Sequence, residues 1–178
     1  IVPTYQYLFS VVNAYGPGGR PFGQSVEADL LVSRAAYLSK QRVCDDPEVS
    51  IVMPAYNNVA LTLTSLVSVL EFAGTRTFEI IIGDNQSEDE TPILVGRVGG
   101  AVTLVRHGEN LGFLKNCNTT AKLCRGKYVV LLNNDTLALP GWLDELIEPL
   151  RSDPDVHLTG SKLLNADGSL QEAGGIFW

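Results

Sequence analysis

The sequence predicts an α/β fold, a mostly parallel sheet flanked by helices with a small hairpin near the C-terminus. Three observations carry this. From Glu48 onward, apolar runs of strand length alternate with segments of helical period. The runs are unbroken rather than alternating, as strands covered on both faces require. The connections between them are short, and no internal repeat is visible.

The first strand is Val49-Ser50-Ile51-Val52-Met53, stopped by Pro54. Leu63, Leu66, Val67 and Leu70 follow at i, i+3, i+4 and i+7, one face of a helix. Asn57 or Asn58 suits its start and Gly74 its end. Phe78 to Ile82 is a second strand, ending at Gly83-Asp84. The acidic segment Ser87 to Thr91 opens a second helix, where Glu88 and Asp89 favour the N-terminus. Val102 to Val105 is a third strand. Leu114, Cys117, Ala121 and Cys124 mark one face of a third helix, with both cysteines expected to face the core as small hydrophobes. Tyr128 to Leu132 is a fourth strand, ending at Asn133-Asn134-Asp135. Leu143, Leu146, Ile147 and Leu150 form another apolar face, which Pro149 should kink or end. Val156 to Leu164 is expected as a strand, and Asn165-Ala166-Asp167-Gly168 as the turn after it.

Residues 1 to 47 differ. Tyr15 to Gly23 is dense in glycine and proline and reads as a loop, followed by a helical pattern from Val26 to Arg42. The segment 1–47 is therefore expected to be an N-terminal appendage or linker, with the domain proper spanning 48–178. The chain begins at Ile1 rather than Met, which suggests a processed or excised start.

Composition excludes several classes. Of 178 residues, 13 are Lys or Arg and 20 are Asp or Glu, a net charge of −7. That balance opposes an electrostatic nucleic-acid binder and docking on anionic lipid by charge alone. Three scattered cysteines make no disulfide framework and fit a reducing compartment. The two histidines, His107 and His157, lie at no zinc spacing to the cysteines; His107, in a loop beside Gly108, is expected on the surface. No apolar run approaches the roughly 20 residues of a transmembrane segment, and no charged-then-apolar leader is present.

In open α/β sheets, ligands lie beyond the carboxyl ends of the strands. Here those ends are polar: Pro54-Ala55-Tyr56-Asn57, Asp84-Asn85 and Asn133-Asn134-Asp135. No glycine-rich phosphate loop occurs in these positions, which argues against a dinucleotide dehydrogenase and a P-loop NTPase.

Four stretches in order carry a resemblance. Val49 to Asn57, Glu79 to Ser87, Asn110-Leu111-Gly112-Phe113 and Tyr128 to Asp135 resemble the family 2 glycosyltransferases, inverting enzymes of the GT-A fold. Lys162 to Gly168 and Gln171-Glu172-Ala173-Gly174-Gly175 are similar to the rhamnosyltransferase-like branch used in bacterial polysaccharide assembly. The resemblance covers about Glu48 to Trp178.

The resemblance implies transfer of a sugar, with inversion, from a nucleoside-diphosphate sugar of UDP or dTDP type to a saccharide or lipid-linked acceptor. It places the donor on Pro54, Ala55, Tyr56, Asn57, Asp84, Asn85, Lys115, Asn133 and Asn134. Asp84 would accept hydrogen bonds from base or ribose, Tyr56 would offer a stacking surface, and Lys115 would meet phosphate, with Asn116 and Asn118 beside it. Asp135 would hold a divalent metal, Mn²⁺ or Mg²⁺, bridging the diphosphate. Asn133 departs from the family's first acid, and a neutral amide adds no charge to a cation site. The family's general base lies well downstream, so residues 48–178 are expected to be the donor-binding half, truncated before the catalytic carboxylate. The implied place of action is the cytoplasm, at the inner face of the membrane through other parts or partners. The rival reading is a non-catalytic nucleotide-sugar binding or interaction module. A sugar nucleotidyltransferase would need a glycine-rich, basic loop after the first strand, and Pro54-Ala55-Tyr56-Asn57 is neither.

Overall fold

The computed structural model describes residues 26–165 and 167–173. The expected Tyr15–Gly23 loop and the last residues of the Gln171–Gly175 stretch lie outside them. The elements run α1 (Val26–Lys40), β1 (Val49–Ala55), α2 (Val59–Phe72), β2 (Phe78–Asp84), α3 (Thr91–Gly96), β3 (Val102–Arg106), α4 (Gly112–Ala121), β4 (Tyr128–Leu131), α5 (Trp142–Ser152), β5 (Leu163–Leu164) and β6 (Leu170–Glu172).

Strands β3-β2-β1-β4 form one sheet, every pair parallel. The register aligns the strand ends. Ala55 pairs with Asp84 and Asp84 with Arg106, so the segments that follow β1, β2 and β3 emerge at one edge. The two central strands are buried almost throughout, as their unbroken apolar runs predict. β5 and β6 pair antiparallel as the expected hairpin.

One sheet face carries Val49, Ile51, Met53, Ile80 and Ile82, which join Leu63, Leu66, Val67 and Leu70 of α2 and Leu143 and Ile147 of α5 in a single core. Gly74 ends α2 in the left-handed region, as its position suggested. Helix α1 enters the same core through Ala28, Val32 and Ala35, so the segment 26–40 packs on the domain rather than hanging from it. Helix α4 packs against β1 and β2.

Three expectations are corrected. Only Leu163–Leu164 of the expected Val156–Leu164 strand is paired. Before it, the backbone takes other partners: Val156 donates to the Asp153 carbonyl and the Thr159 hydroxyl to that of Leu146. The buried face of α4 is Asn116, Cys117 and Thr120, whereas Leu114 is 69% exposed. Asn116 donates to the Gly83 carbonyl and, with Thr120, meets His107, so these two polar residues are satisfied where they are buried. Cys117 is buried as expected, and burial pushes its thiol pKa up, while Cys124 is only half-buried. Finally, β4 is not covered on both sides. Val129 and Leu131, in register with Ser50 and Val52, stand 50% and 61% exposed beside α4.

Candidate functional site

The site is a cleft of about 420 Å³ at the carboxyl edge of the sheet. Pro54, Ala55 and Tyr56 line it from β1, Asn85 from β2, and Asn133, Asn134 and Asp135 from β4. The turn before α4 and the helix itself add Asn110, Phe113 and Asn116.

The loops that shape the cleft are strained and then tied. Asn57, Asn58 and Gln86 have φ of 56°, 58° and 67°, the left-handed region that residues with a Cβ seldom occupy. All three follow β1 or β2. Hydrogen bonds across the two loops hold them. The Asn57 backbone N–H donates to Ser87 Oγ at 2.8 Å, and Asn57 Oδ1 accepts from the Glu88 backbone at 2.8 Å. Asp89 Oδ2 accepts from the Val59 N–H at 3.1 Å and Asp89 Oδ1 from the Thr91 N–H at 2.9 Å. One carboxylate thus serves the first turns of both α2 and α3, whereas neither Asn57 nor Asn58 caps α2 with its side chain.

Asp84 is wholly buried. Its Oδ1 accepts from the Ser87 N–H at 3.0 Å, closing the turn after β2. Its Oδ2 makes no hydrogen bond and stands 3.6 Å from the Arg106 guanidinium. Asp84 therefore lies behind the cleft wall and is not among the lining residues. Asn85 lines the cleft while holding the far loop: its Nδ2 donates to Asn110 Oδ1 at 2.7 Å and its Oδ1 accepts from the Leu111 N–H at 2.7 Å.

The expected site residues thus divide. Pro54, Ala55, Tyr56, Asn85, Asn133, Asn134 and Asp135 come together around one cleft, with Tyr56 47% exposed at its rim. Asn57, Asp84 and Lys115 do not line it; Asn57 and Asp84 build its walls and Lys115 is exposed on α4. Asn134 also reaches back, its Nδ2 donating to Thr62 Oγ1 at 2.9 Å. Asn110 and Phe113 were not singled out as contacts, although both belong to the Asn110-Leu111-Gly112-Phe113 stretch. His107 is a correction: it is 9% exposed, buried against Asn116.

Among the described residues, Asp135 is the sole acid lining the cleft, and no lysine or arginine lines it. Among the described residues no group of three or more His, Cys, Asp or Glu is disposed to hold a metal. The donor set is nonetheless all oxygen and amide with one carboxylate. That suits a hard cation which takes one or two protein carboxylates and completes its shell from a ligand's phosphates and water.

A parallel sheet with short crossover helices and a polar cleft at its carboxyl edge defines an α/β ligand-binding domain of the switch-point type. The family model for glycosyl transferase family 2 matches residues 50–171, and the chain belongs to this family. An uncharacterized protein of Sinorhizobium fredii is 31% identical over 160 residues, 87% of this chain and 18% of the relative. An O-antigen biosynthesis protein, RfbC of Myxococcus xanthus, is 30% identical over 141 residues, 78% of this chain and 11% of the relative. The mannosyltransferase PcManGT of Pyrobaculum calidifontis, solved with GDP-Man and Mn²⁺, superposes with a TM-score of 0.58. It is 28% identical, over 85% of this chain and 45% of the other. The fold is of the GT-A type, and the chain spans less than a fifth of the length of the two curated relatives.

Proposed function

We propose that the chain is the donor-binding part of an inverting glycosyltransferase that takes a nucleoside-diphosphate sugar and acts in assembly of a cell-surface polysaccharide. The observation that carries this is the cleft itself, in which residues from three strand ends converge, the exposed Asp135 among them. Family membership and the O-antigen relative support the class of reaction.

Pro54 to Tyr56 receive the base, with the Tyr56 ring as a stacking face. The amides of Asn85, Asn133 and Asn134 offer both donors and acceptors to ribose and phosphate oxygens. Asp84 acts from behind, holding the turn that presents Asn85. Lys115, exposed on α4 and outside the cleft lining, would meet phosphate as a mobile charge. Asp135, with Asn133 and Asn134 beside it, would hold Mn²⁺ or Mg²⁺ against the diphosphate, and that ion supplies charge neutralisation of the leaving group. The acceptor oxygen attacks the anomeric carbon as the bond to the diphosphate breaks, and its proton passes to a base. A single carboxylate engaged with a cation cannot also take that proton. The base is therefore proposed to come from chain beyond residue 178. Residues 1–47 are proposed as the approach to the domain, with 26–40 packed on it. We place the protein in the cytoplasm, at the inner face of the membrane through other parts. Its three cysteines are free, and no helix of the described residues is long and apolar enough to cross a membrane.

Calorimetric titration with UDP, dTDP and GDP, with and without Mn²⁺, tests the reading. Uridine or thymidine diphosphate is expected to bind, more tightly with Mn²⁺, and Asp135→Ala to remove the Mn²⁺-dependent part. GDP preference would move the carrier toward that of the Pyrobaculum mannosyltransferase. Binding indifferent to Mn²⁺ would favour a non-catalytic nucleotide-sugar module. No binding of any diphosphate would end the proposal.

A further inference from the structure

Behind the cleft lies a buried polar cluster that the proposed chemistry does not use. It consists of Gly83, the penultimate residue of β2; His107, just past β3; and Asn116 and Thr120 on α4. His107, Asn116 and Thr120 are 9%, 1% and 0% exposed. Asn116 also lines the cleft, so the cluster forms the inner layer of the wall that a ligand would meet.

The hydrogen bonds fix the protonation pattern. Asn116 Nδ2 stands 2.8 Å from the Gly83 carbonyl. A carbonyl only accepts, so the amide nitrogen must face it and Oδ1 must face the other way. Oδ1 then accepts from the Thr120 hydroxyl at 3.1 Å, and it meets His107 Nε2 at 3.0 Å. An amide oxygen cannot donate, so Nε2 carries the hydrogen. In the neutral ring this is the Nε2–H tautomer, which leaves Nδ1 bare.

The same residue is held through its backbone. The His107 N–H donates to the Asp84 carbonyl at 3.0 Å, and its carbonyl accepts from Gln86 Nε2 at 2.9 Å. One residue thus joins the end of β2, the strained turn at Gln86 and the first half of α4. A side chain at residue 83 would displace this arrangement: a Cβ there would collide with Asn116 Oδ1 and Thr120 Oγ1, and both side chains would have to move. Gly83 and Asn116 are therefore one fitted unit.

We propose that His107, as its Nε2–H tautomer, and Asn116 are positioning residues that lock the amino-terminal half of α4 to the end of β2. In doing so they set the cleft wall between Asn85 and Phe113. An apolar ring at position 107 would fill the space but leave the Asn116 oxygen short of a donor, and the wall would loosen. The consequence for donor affinity rests on the proposed function; the positioning itself does not.

The test uses the full chain and two variants. His107→Gln can bring an N–H donor to nearly the same point, whereas His107→Leu fills similar volume with none. Long-range ¹H–¹⁵N spectra of the wild type in mildly alkaline solution should show Nε2 protonated and Nδ1 bare. Backbone amides of residues 84–87 and 110–113 should exchange about tenfold faster in His107→Leu and near the wild-type rate in His107→Gln, the scale of one lost hydrogen bond. UDP or dTDP affinity should fall by about the same factor in the leucine variant and return in the glutamine one. The inverse tautomer, or exchange in His107→Leu equal to the wild type, overturns the positioning role. If His107→Leu fails to fold, the tautomer and the exchange of His107→Gln decide, since a folded glutamine variant with a loosened wall refutes the role. If the wild type binds no diphosphate while tautomer and exchange behave as stated, the donor reading fails and the positioning role stands.

Discussion

At the scale of single residues, the cleft depends on side chains whose partners are far away in sequence. Asp89 shows this best. Its two oxygens accept from the first turn of α2 and from that of α3, and the Asn57 amide grips the backbone at 88 and 89. These bonds restrain Asn57 and Asn58 in left-handed conformations that would otherwise be unfavourable. Asp89→Ala removes the carboxylate from both helix starts at once. Each capping bond is worth about 1 kcal/mol, so urea denaturation should show a loss of about 2 kcal/mol. Asp89→Asn keeps an acceptor oxygen and should lose about half as much. Equal stability of wild type and alanine variant would mean that the two loops hold their shape unaided. Asp84 belongs to the same scale. It is a buried brace for the Ser87 turn, so Asp84→Ala should lower stability by about 1 kcal/mol or more through the lost Ser87 hydrogen bond and the lost Arg106 pair. A variant that melts like wild type but binds nucleotide less tightly would instead give Asp84 a direct part in recognition.

At the scale of elements, legibility followed the kind of force that forms each one. β1 and β2 were plain in the sequence because burial on both sides demands a continuous apolar run, and Ile51–Met53 and Ile80–Ile82 are such runs. Helix α2 was equally plain from its apolar spacing. Helix α4 was placed correctly, but its inward face was not. It packs on Gly83 and His107 through Asn116 and Thr120, and apolar periodicity carries no record of a buried face built from hydrogen bonds. The seven strand-end residues that reach the cleft were legible from position alone, since a parallel sheet brings its carboxyl ends to one edge. That Asp84 turns inward was not, because its partner Ser87 satisfies it only in the folded turn. The opposite edge of the sheet has its own tie. Glu79 of β2 accepts from Ser50 Oγ of β1 at 2.7 Å, from the Arg125 backbone at 2.8 Å and from the Arg125 guanidinium at 2.9 Å. Burial would raise its pKa, but the Ser50 and Arg125 bonds outweigh it and hold the carboxyl below the usual glutamate value. A carboxylate with a depressed folded pKa contributes stability above its unfolded pKa, and that contribution disappears as pH falls through the folded value. Wild-type stability should therefore decline on acidification below the ordinary glutamate range. Glu79→Gln should be less stable at neutral pH by about 1–2 kcal/mol, with a shallower acid decline. Denaturation curves at neutral and acidic pH separate the cases, and parallel declines of the two proteins would remove Glu79 from the pH dependence.

At the scale of the whole molecule, the two edge strands of the sheet differ in character. β3 has Val102 buried, Leu104 and Val105 half-buried, and polar Thr103 and Arg106 as its exposed residues. β4, at the other end of the strand order, has no strand beyond it among the described residues. One of its faces shows Val129 and Leu131 at 50% and 61% exposure. The adjoining helix and its exit add Phe113, Leu114 and Leu123, each about half exposed or more. Edge strands that stay soluble alone are usually short, charged or covered, and an apolar strand edge beside an apolar surface is the reverse of that. The isolated chain should therefore associate through β4. A net charge of −7 opposes this at low ionic strength, so association should strengthen as salt screens the repulsion. Val129→Lys with Leu131→Lys places two charges on the open face without touching the cleft or the main core, because neither side chain is buried. Sedimentation velocity over a range of concentrations and salt gives the answer. The wild type should show a rising weight-average mass, and the double variant a single monomeric species with an unchanged circular dichroism spectrum. A wild type that stays monomeric at every concentration and salt would mean that β4 is protected by its shortness and twist, and association seen equally in both proteins would place the contact on the exposed face of α1, at Leu30 and Tyr37.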